Sequence, residues 1–258
     1  MSPHDPPRLG IIIPYRDRAE HLAEFLDCVP RFFLEDAVNV GIKPRFLIVE
    51  QAPGLPFNRG GVLNVGFQQL AGDIDYLCLH DVDRMPLSAD YRWPEGPTMI
   101  IRGGLPYADN AELMKQLLGS VVLAQARQFA KANGFANTYW GWGYEDVDLR
   151  ERLLRHGFAH THRDVSFRSL PHVDLGSNPH GSQSEMSKKN QAIFVSRWFD
   201  RRGEGWIRRP VMYAEWLRDG LSTLSYRTIS PRCAVSHPAG ETFVIEHMAV
   251  DFSPPATA

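Results

Sequence analysis

Two groups of acidic residues in this 258-residue chain sit in settings where carboxylates do chemistry. Asp81-Val82-Asp83 follows the apolar run Tyr76-Leu77-Cys78-Leu79, so one strand end presents two carboxylates, one to face a metal and the other a nucleotide. Hard carboxylate oxygens suit Mg2+ or Mn2+, and an added imidazole tilts the choice toward Mn2+. His172 is a candidate for that imidazole, with Asp174 or Ser169 supplying a further oxygen. The plain alternatives are a solvated Asp-x-Asp turn and, for any one of the ten histidines, a surface or core position.

The second group closes the segment Trp140-Gly141-Trp142-Gly143-Tyr144-Glu145-Asp146. Glycines let a backbone approach a ligand, an indole face covers a sugar ring, and Glu145 or Asp146 can accept a hydroxyl proton. The competing reading packs both indoles in the core and uses the acids to cap a helix. Arg16 and Arg18 beside Pro14-Tyr15, and Arg59 after Phe57-Asn58, combine aromatic rings with guanidinium groups at strand ends. That combination suits a uracil ring and a diphosphate. Surface pairing with Asp17 or Glu20 competes with it.

The elements that hold these residues alternate. Residues 9–13 form an apolar β-branched run stopped by Pro14, and residues 19–30 repeat apolar positions at helical spacing, so a strand and a helix ending near Pro30 are predicted. Strands are predicted at 45–50, 76–79, 119–123 and 241–252, and helices at 62–70, 124–132 and 146–156. Residues 171–190, rich in Ser, Gly, Asn and His without periodicity, are predicted to be a mobile loop. The alternation implies an α/β fold with a mainly parallel sheet, whose ligands lie beyond the carboxyl ends of the strands. The polar motifs fall there. One catalytic domain over residues 1–258 is expected, with a nucleotide-binding half near 9–85 and an acceptor-binding half near 86–258.

The 28 basic and 30 acidic residues leave a net charge of −2, so no global field favours nucleic acid or an anionic membrane. Cys28, Cys78 and Cys233 lie far apart, without a CxxC pair, and fit a reducing cytoplasm. No run of about 18 apolar residues occurs, and no integral membrane segment is expected.

Five segments, in order, resemble the β-1,4-galactosyltransferase family: residues 11–18 (IIIPYRDR), 57–67 (FNRGGVLNVGF), 80–86 (HDVDRMP), 133–148 (NGFANTYWGWGYEDVD) and 219–226 (DGLSTLSY). His80-Asp81-Val82-Asp83 is most similar to the branch that galactosylates xylose. The resemblance implies a GT-A fold, a Rossmann-like mixed, mainly parallel sheet flanked by helices. It also implies inverting transfer of a galactose-type sugar from a UDP-sugar to the 4-hydroxyl of a saccharide acceptor. Pro14, Tyr15, Arg16, Arg18, Phe57 and Arg59 would bind UDP, with Asp81 and Val82 near the nucleotide. Asp83 and His172 would hold Mn2+, with Mg2+ an alternative. Trp142 and Glu145 would hold the sugars and Asp146 would be the base. The chain departs from the family at Ser169, where many members have a methionine ligand, and at Asp174, where the xylose-specific branch has a histidine. Asp174 is the favoured third ligand, since a carboxylate binds Mn2+ better than a neutral hydroxyl. Leu117 falls where galactose-specific members have a tyrosine beside the sugar's 2-position, so the implied donor is UDP-galactose or UDP-N-acetylgalactosamine. A cytoplasmic, lipid-linked acceptor fits a chain without an anchor. A nucleotidyltransferase lacks its Gly-rich loop and lysine here, and a non-catalytic carbohydrate-binding module has no need for Asp83, His172 and Asp146 together.

Overall fold

The computed structural model describes residues 6–100, 118–163, 165–171, 185–202, 205–209 and 218–252, and Leu117, His172 and Asp174 lie outside them. Strands β1 (Leu9–Tyr15), β2 (Arg45–Gln51) and β3 (Tyr76–His80) lie parallel, with β1 between the other two. Their apolar runs are continuous rather than alternating because helices cover both faces of such a sheet. Helix α1 (Ala19–Glu35) follows β1 and α2 (Arg59–Leu70) follows β2.

Helix α1 passes through Pro30 instead of ending there. A proline forfeits one helical hydrogen bond, but the apolar stripe of Phe25, Leu26 and Val29 continues to Phe33, which packs on Phe46, Tyr91 and Phe243. Helix α2 starts three residues before the predicted position because the Asn58 side chain caps it, accepting from the Gly61 amide at 2.7 Å.

Beyond β3 come β4 (Arg84–Ser88), β5 (Thr98–Met99), β6 (Val121–Gln125), α3 (Ala126–Lys131), α4 (Glu145–Arg155), β7 (Thr161–His162) and β8 (Ser166–Ser169). They are followed by α5 (Glu185–Trp198), the ribbon β9 (Phe199–Arg202) and β10 (Gly205–Arg208), then β11 (Arg227–Ala234) and β12 (Val244–Asp251). The main sheet has the order β11-β12-β2-β1-β3-β6-β5-β7. Strands β12, β2, β1 and β3 are parallel, while β6 and β11 run against their neighbours. The parallel strands therefore end on one edge, at Tyr15, Gln51, His80 and Asp251. The predicted strand at 241–252 begins instead with a 3-10 turn, Pro238–Glu241. The predicted loop at 171–190 is helical from Glu185, where α5 starts.

Helix α4 is anchored from below by a buried ionic cluster. Asp148 accepts from Arg152 Nε at 2.7 Å, Trp198 Nε1 at 2.8 Å and Arg197 Nη1 at 3.0 Å. Burial opposes charge on Asp148, but Arg152 and Arg197 outweigh it and hold the carboxyl below its ordinary range. Arg197 also reaches Asp219 Oδ2 at 2.7 Å, and Asp219 Oδ1 accepts from the Asn137 amide.

Helix α2 lies so close to β1 that a Cβ at Gly66 would stand 2.2 Å from Ile12 Cγ2 and 3.2 Å from Val49 Cγ2. In an open helix alanine is favoured over glycine by about 1 kcal/mol, yet overpacking a core typically costs roughly 1–3 kcal/mol. Gly66→Ala is therefore expected to lower Tm, and Gly72→Ala, where a Cβ meets nothing within 4 Å, to leave it unchanged or raise it. Thermal unfolding followed by circular dichroism checks both.

Candidate active site

After β3 the chain turns at once. The Asp81 amide donates to Ser120 O at 3.1 Å and the Arg84 amide to Asp81 O at 3.3 Å, so Asp81-Val82-Asp83 forms a turn and not extended backbone. The turn separates the environments of the two carboxylates. Asp81 is partly exposed, while Asp83, 4% exposed, lies between Arg18 Nη1 at 3.4 Å and Arg84 Nε at 3.5 Å. Val82 is 3% exposed and belongs to the apolar core. Its side chain faces the core beneath the turn.

Arg59 opens α2 and links the two acidic groups. Its guanidinium is 2.7 Å from Asp81 Oδ1 and 3.7 Å from Glu145 Oε1, and it stands over the Phe135 ring. Arg16 donates to Leu55 O at 2.7 Å and stacks 5.1 Å from the Phe57 ring centroid. Its competing surface partner Asp17 is 4.0 Å away. Pro14 and Tyr15 are buried in β1, Tyr15 edge-on to His247 at 6.3 Å, so the Tyr15 ring is not an open stacking platform. Arg16, Arg18 and Phe57 keep partial exposure at the strand ends.

The tryptophan segment packs beside them. The Gly141 amide donates to Phe57 O at 2.7 Å, and the backbone is left-handed at Gly141, Gly143 and Tyr144. Tyr144 at φ +75° is costly for a residue with a Cβ, and it delivers Glu145 and Asp146 to the first turn of α4. Trp140 lies against Phe252 and the core, whereas Trp142 is 49% exposed. One indole thus fits the packing alternative and the other is available to a ligand.

Glu145 and Asp146 are two adjacent, partly buried carboxylates. Burial first, and then the charge of Asp146, push the Glu145 carboxyl up to about 7, against the pull of Arg59. Burial also raises Asp146, again opposed by Arg59 and by the amide of Val147, which donates to it at 2.8 Å. The helix N-terminus favours the charged forms but does not fully offset desolvation. Asp146 Oδ2 lies 2.7 Å from where a Cβ of Gly119 would stand, so only glycine lets that segment pass.

Asp83 is paired with two guanidinium groups here, and a divalent cation at this carboxylate would compete with them. Strand β8 pairs with β4, and the Leu170 amide donates to Asp83 O at 2.9 Å, which brings the chain to within two residues of His172. Ser169 Oγ accepts from Arg84, so that hydroxyl is already engaged. Among the described residues no three His, Cys, Asp or Glu side chains gather at metal-binding distances. A complete set would have to draw on residues such as His172 and Asp174.

Sequence reasoning missed the polar residues that hold this arrangement. Asn58 joins Gln51 to Asn137, Asn64 joins Phe135 to Asn137, and Asn190 on α5 meets the tryptophan segment. Their signal was weak, since a buried asparagine looks like a loop residue until its partners are known. For Asn190 the spacing of Ser187, Asn190, Phe194 and Trp198, all buried on one side of α5, was readable as a helical stripe.

Comparison with known proteins agrees with this geometry. Residues 4–93 match the N-terminal region of glycosyl transferase group 7, and residues 105–174 match a galactosyltransferase domain model described as the N-terminal domain of galactosyltransferase. Mouse β-1,4-galactosyltransferase 7 is 32% identical over 237 residues, covering 90% of this chain and 64% of the relative. β-1,4-Galactosyltransferase 4 of Cricetulus griseus is 31% identical over 231 residues, covering 86% and 59%. The chain thus spans about three fifths of the length of these relatives. The catalytic domain of Drosophila β-1,4-galactosyltransferase 7, solved with xylobiose, superposes with a TM-score of 0.71 at 20% identity over 96% of this chain and 94% of that one. That likeness shows the shared GT-A architecture. Among the described residues no helix is long and apolar enough to cross a membrane. With both family models and relatives over most of its length in agreement, the chain belongs to the β-1,4-galactosyltransferase family.

Proposed function

We propose that this protein is a metal-dependent, inverting glycosyltransferase that moves galactose or N-acetylgalactosamine from a UDP-sugar to the 4-hydroxyl of a saccharide acceptor. The observation that carries the reading is the Arg59 bridge, which sets the Asp81-Asp83 turn beside the Glu145-Asp146 pair at the carboxyl ends of the parallel strands. A xylose-terminated acceptor is the first choice. His80-Asp81-Val82-Asp83 resembles the xylose-specific branch, and a Drosophila relative was solved with manganese, UDP-Gal and xylobiose. A lipid-linked acceptor remains a second candidate.

On this reading Asp146 takes the proton from the acceptor hydroxyl while its oxygen attacks the anomeric carbon. The bond to the UDP oxygen breaks on the opposite face, and the configuration inverts to β. Glu145 is committed to Arg59, which supports Asp146 as the base and leaves Glu145 to bind sugar hydroxyls. Arg16 and Arg18 offset the charge of the departing UDP. Asp83, His172 and Asp174 would hold Mn2+, which adds positive charge for the diphosphate when bound. The engagement of Ser169 by Arg84 supports Asp174 as the third ligand. Incubation with UDP-galactose, Mn2+ and a β-xyloside tests the proposal: UDP and a β-1,4-linked product are expected, and release of pyrophosphate or no turnover would overturn it.

Three outcomes follow from these assignments. Asp146→Asn is expected to lower kcat by at least about a hundredfold, with calorimetric UDP affinity in Mn2+ near the wild-type value. Because the folded chain holds a proton on Glu145 more tightly than the unfolded chain does, stability should fall as pH rises from the ordinary carboxylate range to about 7. Glu145→Gln should flatten that slope in urea titrations, and parallel profiles would contradict it. Finally, the family resemblance sets Leu117 where galactose-specific members carry a tyrosine, and leucine is the smaller of the two beside an acetamido group. UDP-N-acetylgalactosamine should therefore serve at least as well as UDP-galactose, and Leu117→Tyr should shift kcat/KM toward galactose.

A further inference from the structure

The backbone carbonyls of Trp140, Trp142 and Gly143 converge on one atom, the side-chain Nδ2 of Asn190, at 2.9, 3.2 and 3.1 Å. Carbonyl oxygens repel one another, and bringing three together in a buried place needs a donor among them. The turn supplies the convergence through its left-handed residues Gly141, Gly143 and Tyr144. Helix α5 supplies the donor, with Asn190 only 3% exposed.

The helix is pressed against the segment elsewhere as well. A Cβ at Gly141 would stand 2.5 Å from Met186 Cγ, and a Cβ at Gly143 would stand 3.6 Å from Ser187 Oγ. Tyr144 packs on Phe194, with ring centroids 5.6 Å apart. Gly141, between the indoles, therefore makes room for α5, in addition to allowing the left-handed turn. What the clamp holds is the backbone from which Trp142 projects, half exposed, and from which Glu145 and Asp146 enter α4.

We propose that Asn190 is a positioning residue for acceptor binding: its amide group fixes residues 140–144 so that the Trp142 indole and the first turn of α4 stand in a set relation. The inference rests on the reading of the site as a UDP-sugar transferase. On the donor side Arg16, Arg18 and Asp83 lie on other elements, and the segment meets that side at the Gly141 amide's bond to Phe57 O and at the Arg59–Glu145 pair. Loss of the amide therefore weighs on the acceptor more than on the nucleotide.

The test compares wild type, Asn190→Ala, Asn190→Asp and, as a control on α5 whose apolar side chain has no hydrogen bond to donate, Ile193→Ala. Hydrogen exchange of the amides of residues 140–146 in the ligand-free protein should speed up about tenfold or more in Asn190→Ala, the scale of losing one or two net hydrogen bonds. The acceptor KM should rise about tenfold on the same scale, while UDP affinity in Mn2+ stays at the wild-type value. Asn190→Asp should be worse than alanine at pH 8 and recover on acidification, since a protonated carboxyl donates one hydrogen bond where the carboxylate only repels. Ile193→Ala should lower Tm without splitting the acceptor KM from UDP affinity. Unchanged exchange in Asn190→Ala overturns the clamp. Faster exchange with an unmoved acceptor KM, or an equal loss of UDP affinity, overturns the positioning role. A wild type that releases no UDP overturns the reading of the site, and the exchange data then still decide whether the clamp exists.

Discussion

The guanidinium of Arg59, held between Asp81 and Glu145, is the interaction on which the candidate site depends. Without a cation at that point, Asp81, Glu145 and Asp146 would stand together in a poorly hydrated place, and their mutual repulsion would drive them to protonate or to move apart. Arg59 keeps the Asp-x-Asp turn and the N-terminus of α4 in register although they come from distant parts of the chain. Its own position follows from α2, whose first turn packs so tightly that a Cβ at Gly60 would stand 2.9 Å from Phe135 Cβ. The spacing of helix and sheet thus fixes the spacing of the charges.

The remaining polar groups divide the work of support. Asp148, Arg152, Arg197 and Asp219 hold α4 from its buried side, and Asn58, Asn64 and Asn137 tie the start of α2 to the segment before the tryptophans. Such a network is costly to bury unless nearly every member is satisfied, and here Asp148 and Asp219 each draw on two segments, although one nitrogen of Arg152 is left without a partner among the described residues. Burial raises both the Glu145 and the Asp146 carboxyl, and the charge of Asp146 adds to the rise at Glu145. The anchoring charges of Asp148, Arg152 and Arg197 sit beneath the helix.

Much of this was legible in the sequence, for physical reasons that differ by residue. Continuous apolar runs such as residues 9–13 and 76–79 can only be buried strands of a parallel sheet, so the fold class and the edge bearing the motifs followed from pattern. Asp81 and Asp83 were recognisable because they directly follow such a run, and Arg59, Glu145 and Asp146 because they close aromatic segments, FN and WGWGY, that suit ligand contact. A motif names positions and cannot say which side chains turn inward, as those of Val82 and Tyr15 do. Pro30 misled because a local rule about helix termination was outweighed by the burial of Phe33, a tertiary effect. The short strands β4, β8, β9 and β10 carry no apolar alternation, since each pairs with only one partner at the margin of the core.

The account stands on the cluster being a nucleotide site that needs a divalent cation, and calorimetric titration of UDP into the full chain tests this most directly. Stoichiometric binding in Mn2+ that vanishes when the metal is chelated is the predicted result. UDP affinity that is absent in both conditions, or equal with and without metal, would contradict it.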